Sequence, residues 1–563
     1  MSAEEPAPGA RSRRGSYLVG AGIGLSRIAG FAREAAIAAF LGRDTPQADA
    51  FRMAFRIPNL LQNLLGEGVL SASFIPGYSR LLSEGRDEDA ARMAGAVATL
   101  LVLVAAGVAL LGVLLAEPLA RLIAFGWVGD PRFELTVGFM RVLFPALGLL
   151  VLSAWCLGVL NSHRRFFLSY VAPVLWSVAQ IAAVVAAGLA GLGLTSIAYA
   201  LVWGVVVGST AQLAIQLPSV VRLLRGWPRP SLDVRFPPVR RAIAAFAPIA
   251  AGRGVVQLMT FVEMWLASLL ALGAMATLGY AQPLYLLPIA LFGMSVAASE
   301  LPELSRASGD TGDERVRAEL GERLRTGLAR IAFFVAPTIL GFVVLGELIV
   351  RLLYERGAFD AIDARLVWLV LVGFSVGLLA NTSSRLLQSG LYAAGETLAP
   401  AKIAAARMVV AAAIGALLML QLDRVALLPD GSLALVGELP ALTPLDPEVR
   451  SDPAAPRLGA VGLAVASGAS AWVEVVLLRR AVRRRLGVSA RVGGGRLART
   501  WAAVGVAAVV AVPAALLLAP LPAFLGAPVG VALTGGAYLA AAAALGIDEP
   551  LPVRALVRRL TGR

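Results

Sequence analysis

The stretch SRIAGFARE, residues 26 to 34, decides how this chain is interpreted. It lies inside the first strongly apolar segment, yet it carries Arg27, Arg33 and Glu34. A charged side chain at the centre of a bilayer costs at least about 3 kcal/mol on insertion scales, so such residues usually face a polar cavity and serve a function. The stretch therefore predicts a membrane-spanning helix with one polar face.

The composition agrees with a membrane protein. Of 563 residues, 58% are hydrophobic and only 15% are charged. Apolar runs of about 20 residues recur along the chain, each long enough to cross a hydrocarbon core of roughly 30 Å as a helix. These runs are continuous and do not alternate at period two, which argues against a membrane barrel. We predict an all-α polytopic membrane protein with about fourteen transmembrane helices.

Several function classes are disfavoured by what the sequence contains. Cys156 is the only cysteine and His163 the only histidine, so a disulfide within the chain is impossible and a Cys/His metal site is close to excluded. His163 falls in a predicted cytoplasmic turn and is interpreted as a surface residue. The glycine-rich GAGIGLSR at residues 20–27 follows no strand, and the sequence contains no P-loop. We expect no enzyme, no catalytic residue, no metal and no cofactor.

The net charge of +14 resembles that of a nucleic-acid-binding protein, but the arginines gather in alternate loops. They cluster at residues 11–14, 222–241, 479–499 and 554–563, which the positive-inside rule places in the cytoplasm with both termini. We expect a membrane and no nucleic acid as the partner.

The predicted organisation follows from these loops. Its parts are a cytoplasmic tail 1–14, an N-lobe 15–223, a basic cytoplasmic linker 224–237, a C-lobe 238–482 containing an extracytoplasmic loop 423–456, a basic loop 483–497, two C-terminal helices 498–546 and a basic tail 547–563.

An internal repeat is indicated by LGVLNSHRRFFLSYVAPVL at residues 157–175 and LQSGLYAAGETLAPAKIAA at 387–405. Each is the end of a long helix, a polar turn and a new helix. The spacing is consistent with two pseudo-symmetric six-helix lobes. Generic helix-turn-helix convergence in an Ala/Leu-rich protein is the alternative.

Charged residues recur on the predicted second and seventh spans. On the second they follow steps of 3, 4, 7 and 4, which forms one polar stripe; its members are Asp49, Arg52, Arg56, Asn63 and Glu67.

The seventh span adds Arg253, between two glycines, and Glu263. Guanidinium groups that converge with fewer carboxylates form an electropositive chamber. Because guanidinium binds phosphate and carboxylate in a bidentate manner and keeps its proton, the pattern predicts an anionic substrate such as a pyrophosphate.

Other interpretations remain open for these residues. Arg52 and Arg56 could snorkel to the interface, and the charges of the first helix could form a structural ion pair. Glu67 and Glu263 could pair with arginines or couple transport to protons or ions. Arg141 is interpreted as interfacial.

The same residues resemble the first two helices of the MurJ (MviN) family of lipid II flippases, in the multidrug/oligosaccharidyl-lipid/polysaccharide exporter superfamily. The similarity extends from SRIAGFARE through ADAFRMAFRIPNLLQNLLGEGVLSASFIPGYSRLL, FMRVLFPALGLLVLSAWCLGVLNSHRRF, SELPELS and ERGAFDAIDA to LLQSGLYAAGETLAPAKIA, and is fainter beyond about residue 420.

The resemblance implies two lobes across a central cavity and alternating access that carries lipid II, the undecaprenyl-pyrophosphate-linked peptidoglycan precursor, outward across the bacterial inner membrane. It implies required roles for Arg27 and Arg33, with Glu34 where an Asp is common. Asp49 and Arg56 match an acidic and a basic family position. The helices of 498–546 would hold the lipid tail. The cell-wall synthesis machinery would be a candidate protein partner.

Two departures from the family pattern matter. Gln62 and Asn63 stand where a basic pair is often found in the second helix. In the eighth helix, AQPLYLLP places Gln282, Pro283 and Leu286 where charged residues are common. We hypothesise that Arg253 and Glu263 of the seventh helix replace that charge, with Arg52 adding a cation.

The substrate-binding candidates are Arg27, Arg33, Glu34, Arg52, Arg56 and Arg253, and the gating or coupling candidates are Asp49, Gln62, Asn63, Glu67 and Glu263. Coupling would come from the membrane potential or a monovalent cation, with Asn381, Thr382 and Ser384 as further polar candidates. The alternatives are export of another polyprenyl-linked glycan or anionic substrate, and a non-transporting paralogue that acts as a membrane scaffold.

Overall fold

The computed structural model describes residues 8–294, 314–428, 430–441, 443–452, 456–490 and 492–547. Nearly all regular structure in this part of the chain is helical. The α-helices are α1 Pro8–Leu41, α2 Pro46–Leu65, α3 Glu67–Ser73, α4 Ile75–Ser83, α5 Asp87–Leu114, α6 Ala116–Ile123, α7 Pro131–Ser162, α8 Phe166–Leu189, α9 Leu194–Leu223, α10 Pro237–Ser268, α11 Ala274–Pro288, α12 Glu314–Val344, α13 Gly346–Tyr354, α14 Ala361–Ser375, α15 Leu378–Ala393, α16 Leu398–Leu422, α17 Pro447–Arg450, α18 Gly459–Leu486, α19 Gly494–Leu518 and α20 Ala523–Ala544.

Shorter elements complete the described chain. A 3₁₀ turn covers Phe125–Trp127, and a π-helical segment, Ile289–Met294, continues α11. Strands β1, Val425–Leu427, and β2, Leu433–Leu435, form an antiparallel hairpin in the predicted extracytoplasmic loop. The all-α fold class is therefore confirmed.

Ten helices of the described chain are long and apolar enough to cross a membrane, or up to eleven if α14 and α15, bent by 45° at their junction, form one span. The chain is an integral membrane protein. The predicted number of about fourteen spans is not confirmed.

The predicted second span, 48–80, consists of three helices. Thr45 caps α2, its side chain accepting a hydrogen bond from the Ala48 nitrogen at 3.2 Å, and Pro46 occupies the first turn. The helix stops at Gly66, where a Cβ atom would lie 2.5 Å from the Gln62 carbonyl oxygen. A tight backbone turn that excludes a side chain thus separates α2 from α3.

The chain forms two compact units. Unit 1 comprises Met1–Gly279, Leu353–Asp363 and Asp423–Arg457, and unit 2 comprises Tyr280–Leu352, Ala364–Leu422 and Leu458–Arg563. In unit 1, α7 is the central helix: it packs against α2, α5 and α9, and its buried face includes Phe139, Leu143 and Trp155. The boundaries of the predicted lobes remain predictions.

In unit 2, α18 packs against α15 and α16, and the C-terminal pair α19 and α20 packs against α12. Tyr538 donates a hydrogen bond to the Phe333 carbonyl oxygen at 2.7 Å, inside a cluster with Ala503 and Ala507. The face of α19 that points away from this cluster is apolar and exposed, since Val509 and Leu517 are each 75% exposed. An exposed apolar face on a spanning helix is suited to contact lipid.

The predicted extracytoplasmic loop belongs to unit 1. Arg450 donates to the carbonyl oxygens of Ser268, at 3.4 Å, and of Gly126, at 3.2 Å. The Asp423 carboxylate accepts from the Ala271 nitrogen at 3.4 Å, and burial raises the pKa of this carboxyl to about 6. The loop is therefore a folded element, fixed by buried polar contacts.

Candidate functional site

Glu34 is the centre of the charged cluster in unit 1. Its carboxylate is buried and accepts from Arg33 at 2.6 Å and from Arg52 at 2.5 Å. Arg33 and Glu34 lie on α1, whereas Arg52 lies on α2, so the carboxylate joins the two helices. The ion pair considered from the sequence within α1 exists, and it includes a partner from the second helix.

The cluster continues one turn along α2. Arg56 donates to the Glu263 carboxylate of α10 at 3.1 Å, and these side chains are 13% and 28% exposed. Arg52 and Arg56 thus point toward carboxylates within unit 1 and are not simply snorkelling side chains. Among the described side chains, three guanidinium groups face two carboxylates, so this part of the cluster carries an excess of positive charge.

Aromatic and glycine residues shape the cluster. The Arg33 guanidinium carbon lies 4.7 Å from the centroid of the Trp176 ring of α8, a cation–π arrangement that leaves the guanidinium edge available for hydrogen bonds. On the other side, a Cβ atom at Gly279 would lie 2.8 Å from the Arg52 Cδ atom. Gly279 therefore lets the backbone of α11 approach the arginine.

The remaining candidates are placed differently. Arg27 lies on an exposed part of α1 and Asn63 is exposed on α2, while Gln62 is partly buried. Arg253 lies on α10 and Glu67 begins α3, but their side chains are outside the described residues, as are SELPELS and most of both basic tails. The proposed replacement of lost helix charge by Arg253 remains a prediction.

The eighth-helix departures and the polar candidates of the tenth span lie in unit 2. Gln282 and Pro283 are partly buried on α11, and Leu286 is 45% exposed. On α15, Asn381 donates to the Tyr285 hydroxyl, and the Thr382 hydroxyl donates to the Leu378 carbonyl oxygen at 2.7 Å. Ser384 is buried on the same helix.

Asp49 lies outside this cluster and is fully buried. Its carboxylate accepts from the backbone nitrogens of Gly273 and Ala276, each at 2.8 Å, and from Arg132 of α7 at 3.3 Å. A carboxylate at a helix N-terminus satisfies otherwise unpaired N–H groups. The observed role of Asp49 is to cap α11 from α2.

Besides the pair of Arg132 with Asp49, sequence reasoning missed two further ion pairs. In unit 1, Arg43 donates to Asp363 at 2.6 Å across 320 residues of sequence. In unit 2, Glu474 of α18 accepts from Arg407 of α16 at 2.6 Å and from Gln388 of α15 at 2.9 Å. Asp363 lies in the quoted ERGAFDAIDA segment, but no spacing signal indicates its partner.

Arg141 is exposed on α7. His163, predicted to be a surface residue, is partly buried. The His163 ring lies 3.0 Å from the Tyr78 hydroxyl, and burial lowers the pKa of the imidazole. Within the described residues, no group of three or more His, Cys, Asp or Glu side chains could hold a metal ion.

Solved structures show the same fold. The structure described as lipid II flippase MurJ in an inward closed conformation aligns with a TM-score of 0.70 at 19% identity, covering 94% of this chain and 99% of that one. An inward-facing multidrug resistance MATE family transporter of the MOP superfamily aligns with a TM-score of 0.58 at 15% identity, covering 82% and 95% of the two chains. The described chain therefore shares the fold of these two proteins.

Sequence comparisons define the family. The family model described as lipid II flippase MurJ matches residues 37–439. A probable lipid II flippase MurJ of Rhizobium tropici is 35% identical over 405 residues, covering 71% of this chain and 74% of that protein. The lipid II flippase MurJ of Burkholderia cenocepacia is 32% identical over 410 residues, covering 72% and 76%. This chain belongs to the MurJ family.

Proposed function

We propose that this protein translocates lipid II across the bacterial inner membrane and that the pyrophosphate of the substrate binds the arginine cluster around Glu34. The observation that supports this is the excess of guanidinium groups over carboxylates among the described side chains of α1, α2 and α10 in unit 1. An excess of buried positive charge is costly unless an anion completes it.

The carboxylates would act as exchangeable partners for the arginines. Glu34 accepts from both Arg33 and Arg52 in the structure, so each of the two cations has a carboxylate partner when the substrate is absent, although one negative charge is shared between them. A pyrophosphate offers more acceptor oxygens and more negative charge than one carboxylate, and it binds guanidinium in a bidentate manner. Substrate binding would thus exchange carboxylate partners for phosphate partners.

Transport would proceed by alternating access, without a catalytic residue. An inside-negative potential favours outward movement of a negative headgroup by about 2.3 kcal/mol per charge per 100 mV. We place both termini in the cytoplasm, because the arginine-rich loops fall on that side under the positive-inside rule. A monovalent cation is the alternative source of coupling.

The test is complementation combined with direct binding. A bacterium depleted of its own lipid II flippase would be supplied with the wild-type gene, Arg33→Ala, Arg52→Ala or Arg253→Ala at matched expression. The matched control is Arg141→Ala, because Arg141 is an exposed arginine on α7 outside the cluster. We expect rescue by the wild type and by the control, and its loss in Arg33→Ala and Arg52→Ala.

The outcome at Arg253 separates two ideas. Rescue by Arg253→Ala would overturn its proposed replacement of eighth-helix charge without affecting the main proposal. A well-expressed wild type that neither rescues growth nor binds purified lipid II would overturn the main proposal. Binding of another polyprenyl-linked glycan would then identify the cargo.

A further inference from the structure

The linker between α9 and α10, residues 224–236, is fixed against α5 in unit 1. The backbone nitrogen of Ser231 donates to the Thr99 hydroxyl at 3.1 Å, and Arg92 forms an ion pair with Asp233. The Arg92 guanidinium carbon also lies 4.6 Å from the centroid of the Phe236 ring. The linker therefore follows a defined path along the end of a spanning helix.

A glycine makes this path possible. At Gly95 of α5, a Cβ atom would lie 2.7 Å from the Arg229 carbonyl oxygen, closer than real Cβ contacts allow. The absence of a side chain at this position lets the linker backbone lie directly on the helix.

The fixed backbone presents apolar side chains outward. Asp233 turns toward α5, whereas its two neighbours, Leu232 and Val234, are 61% and 45% exposed. Trp227, four residues beyond the end of α9, is 71% exposed. These apolar side chains are exposed, so packing in the protein core does not account for them. A tryptophan close to the end of a span is typical of a membrane interface.

Arginines surround these apolar side chains. The exposed arginines of the linker and of the adjoining helix ends are Arg222, Arg225, Arg229, Arg235, Arg240 and Arg241. Arg225 pairs with Asp87 at 3.0 Å. For the other arginines of this group, the described chain provides no carboxylate within salt-bridge distance. If these arginines only determined the orientation of the protein in the membrane, their number alone would matter. An ordered linker with an exposed tryptophan would not be required.

We propose that residues 224–236 form a binding site for anionic phospholipids of the cytoplasmic leaflet. Trp227, Leu232 and Val234 enter the headgroup region, while Arg229 and Arg235 contact the lipid phosphates. The charge of that leaflet is negative, and it attracts basic residues just beyond a span. The combination of apolar side chains with unpaired cations favours a lipid surface over a soluble acidic partner.

The first test measures lipid preference. Full-length protein in detergent would be titrated with phosphatidylglycerol and with phosphatidylcholine, and bound lipids counted by native mass spectrometry. Arg229→Gln/Arg235→Gln should lose on the order of tenfold or more in phosphatidylglycerol affinity, and Trp227→Ala should weaken binding of both lipids. The matched control is Arg483→Gln/Arg484→Gln, which removes two exposed arginines from another basic loop.

The second test measures depth. Because Cys156 is buried, a spin label on Leu232→Cys would be the only accessible thiol adduct. In nanodiscs that contain phosphatidylglycerol, the label should be accessible to oxygen and protected from a water-soluble nickel relaxant, unlike a reference label on exposed Glu438→Cys. An unchanged lipid preference in the linker variant, an equal loss in the control variant, or a fully water-accessible label would each overturn the proposal.

Discussion

The Asp49 carboxylate lies 2.8 Å from the backbone nitrogen of Ala276, so that a side chain of α2 caps the start of α11. The same carboxylate accepts from Gly273 and from the buried Arg132. The fully buried Asp49 carboxylate thus accepts hydrogen bonds from two backbone N–H groups and one guanidinium. We infer that Asp49 is an anchor of the fold of unit 1.

The first prediction concerns this anchor. Asp49→Ala leaves Arg132 buried without one of its carboxylate partners and two backbone donors unsatisfied, so it should cost about 3 to 5 kcal/mol of stability. Asp49→Asn keeps an acceptor and should cost less. Thermal unfolding in detergent measures both, with Glu117→Gln as the control, because Glu117 forms an exposed pair with Arg121. Equal melting temperatures for Asp49→Ala and the control would contradict the assignment.

The second prediction separates substrate binding from transport. Glu34→Gln removes the carboxylate that competes with an incoming pyrophosphate for Arg33 and Arg52. We expect tighter binding of lipid II but slower translocation, because the arginines would lose their return partner. Binding is measured with labelled lipid II and translocation in proteoliposomes.

Glu263→Gln is the control for that experiment. It removes the same charge from a more exposed partner of Arg56 alone, so its effect on binding should be smaller. Weaker lipid II binding in folded Glu34→Gln would argue against exchange between carboxylate and phosphate.

Sequence reasoning gave the membrane class, the helical fold and the charged residues of the first two helices, because burying charge among apolar residues is a strong local signal. It also connected Arg33, Glu34, Arg52 and Arg56 with one site. Which of these residues pair could not be predicted from the sequence, because Glu34 of α1 pairs with Arg52 of α2 and that contact depends on how the two helices pack.

Other features depend on contacts distant in sequence. Helical periodicity placed Asp49 on the same stripe as Arg52, but two of its partners are backbone groups more than 220 residues away and the third is Arg132 of another helix. The loop 423–456 showed no spanning pattern, and its fold depends on buried contacts of Arg450 and Asp423 with residues near 270. Periodicity carries no information about such tertiary partners.

The third prediction concerns the buried ion pair of unit 2. Arg407→Leu leaves Glu474, which is 3% exposed, with Gln388 as a neutral partner, and should cost about 3 to 5 kcal/mol. Adding Glu474→Gln removes the uncompensated charge and should restore much of that loss. A double-mutant cycle on melting temperature measures the coupling, and strictly additive effects would contradict a direct pair.

The fourth prediction concerns pH. Burial raises the pKa of Asp423 to about 6, above the usual value of 3.8. Between these values the folded state binds the proton and the unfolded state does not, so this group makes the protein more stable as the pH falls from about 7 toward 4. Each unit of pKa difference corresponds to about 1.4 kcal/mol.

Asp423→Asn should therefore be more stable than the wild type at pH 7.5 and should lose that advantage near pH 4. Melting temperatures across this range test the difference, with Asp430→Asn as the control, because Asp430 is exposed in the same loop. A difference between Asp423→Asn and the wild type that does not change with pH would contradict the raised pKa.

The fifth prediction concerns the packing of the linker on α5. Gly95→Ala places a methyl group 2.7 Å from the Arg229 carbonyl oxygen, so the linker must move away from the helix. Gly107→Ala is the matched control on the same helix, because no atom lies within 4 Å of the added Cβ. In a helix interior, replacing glycine by alanine normally stabilises by about 1 kcal/mol. We expect Gly107→Ala to follow that rule, and Gly95→Ala to accelerate tryptic cleavage after the exposed Arg225 and Arg235. Equal cleavage rates in the two variants would show that the linker does not rest on Gly95.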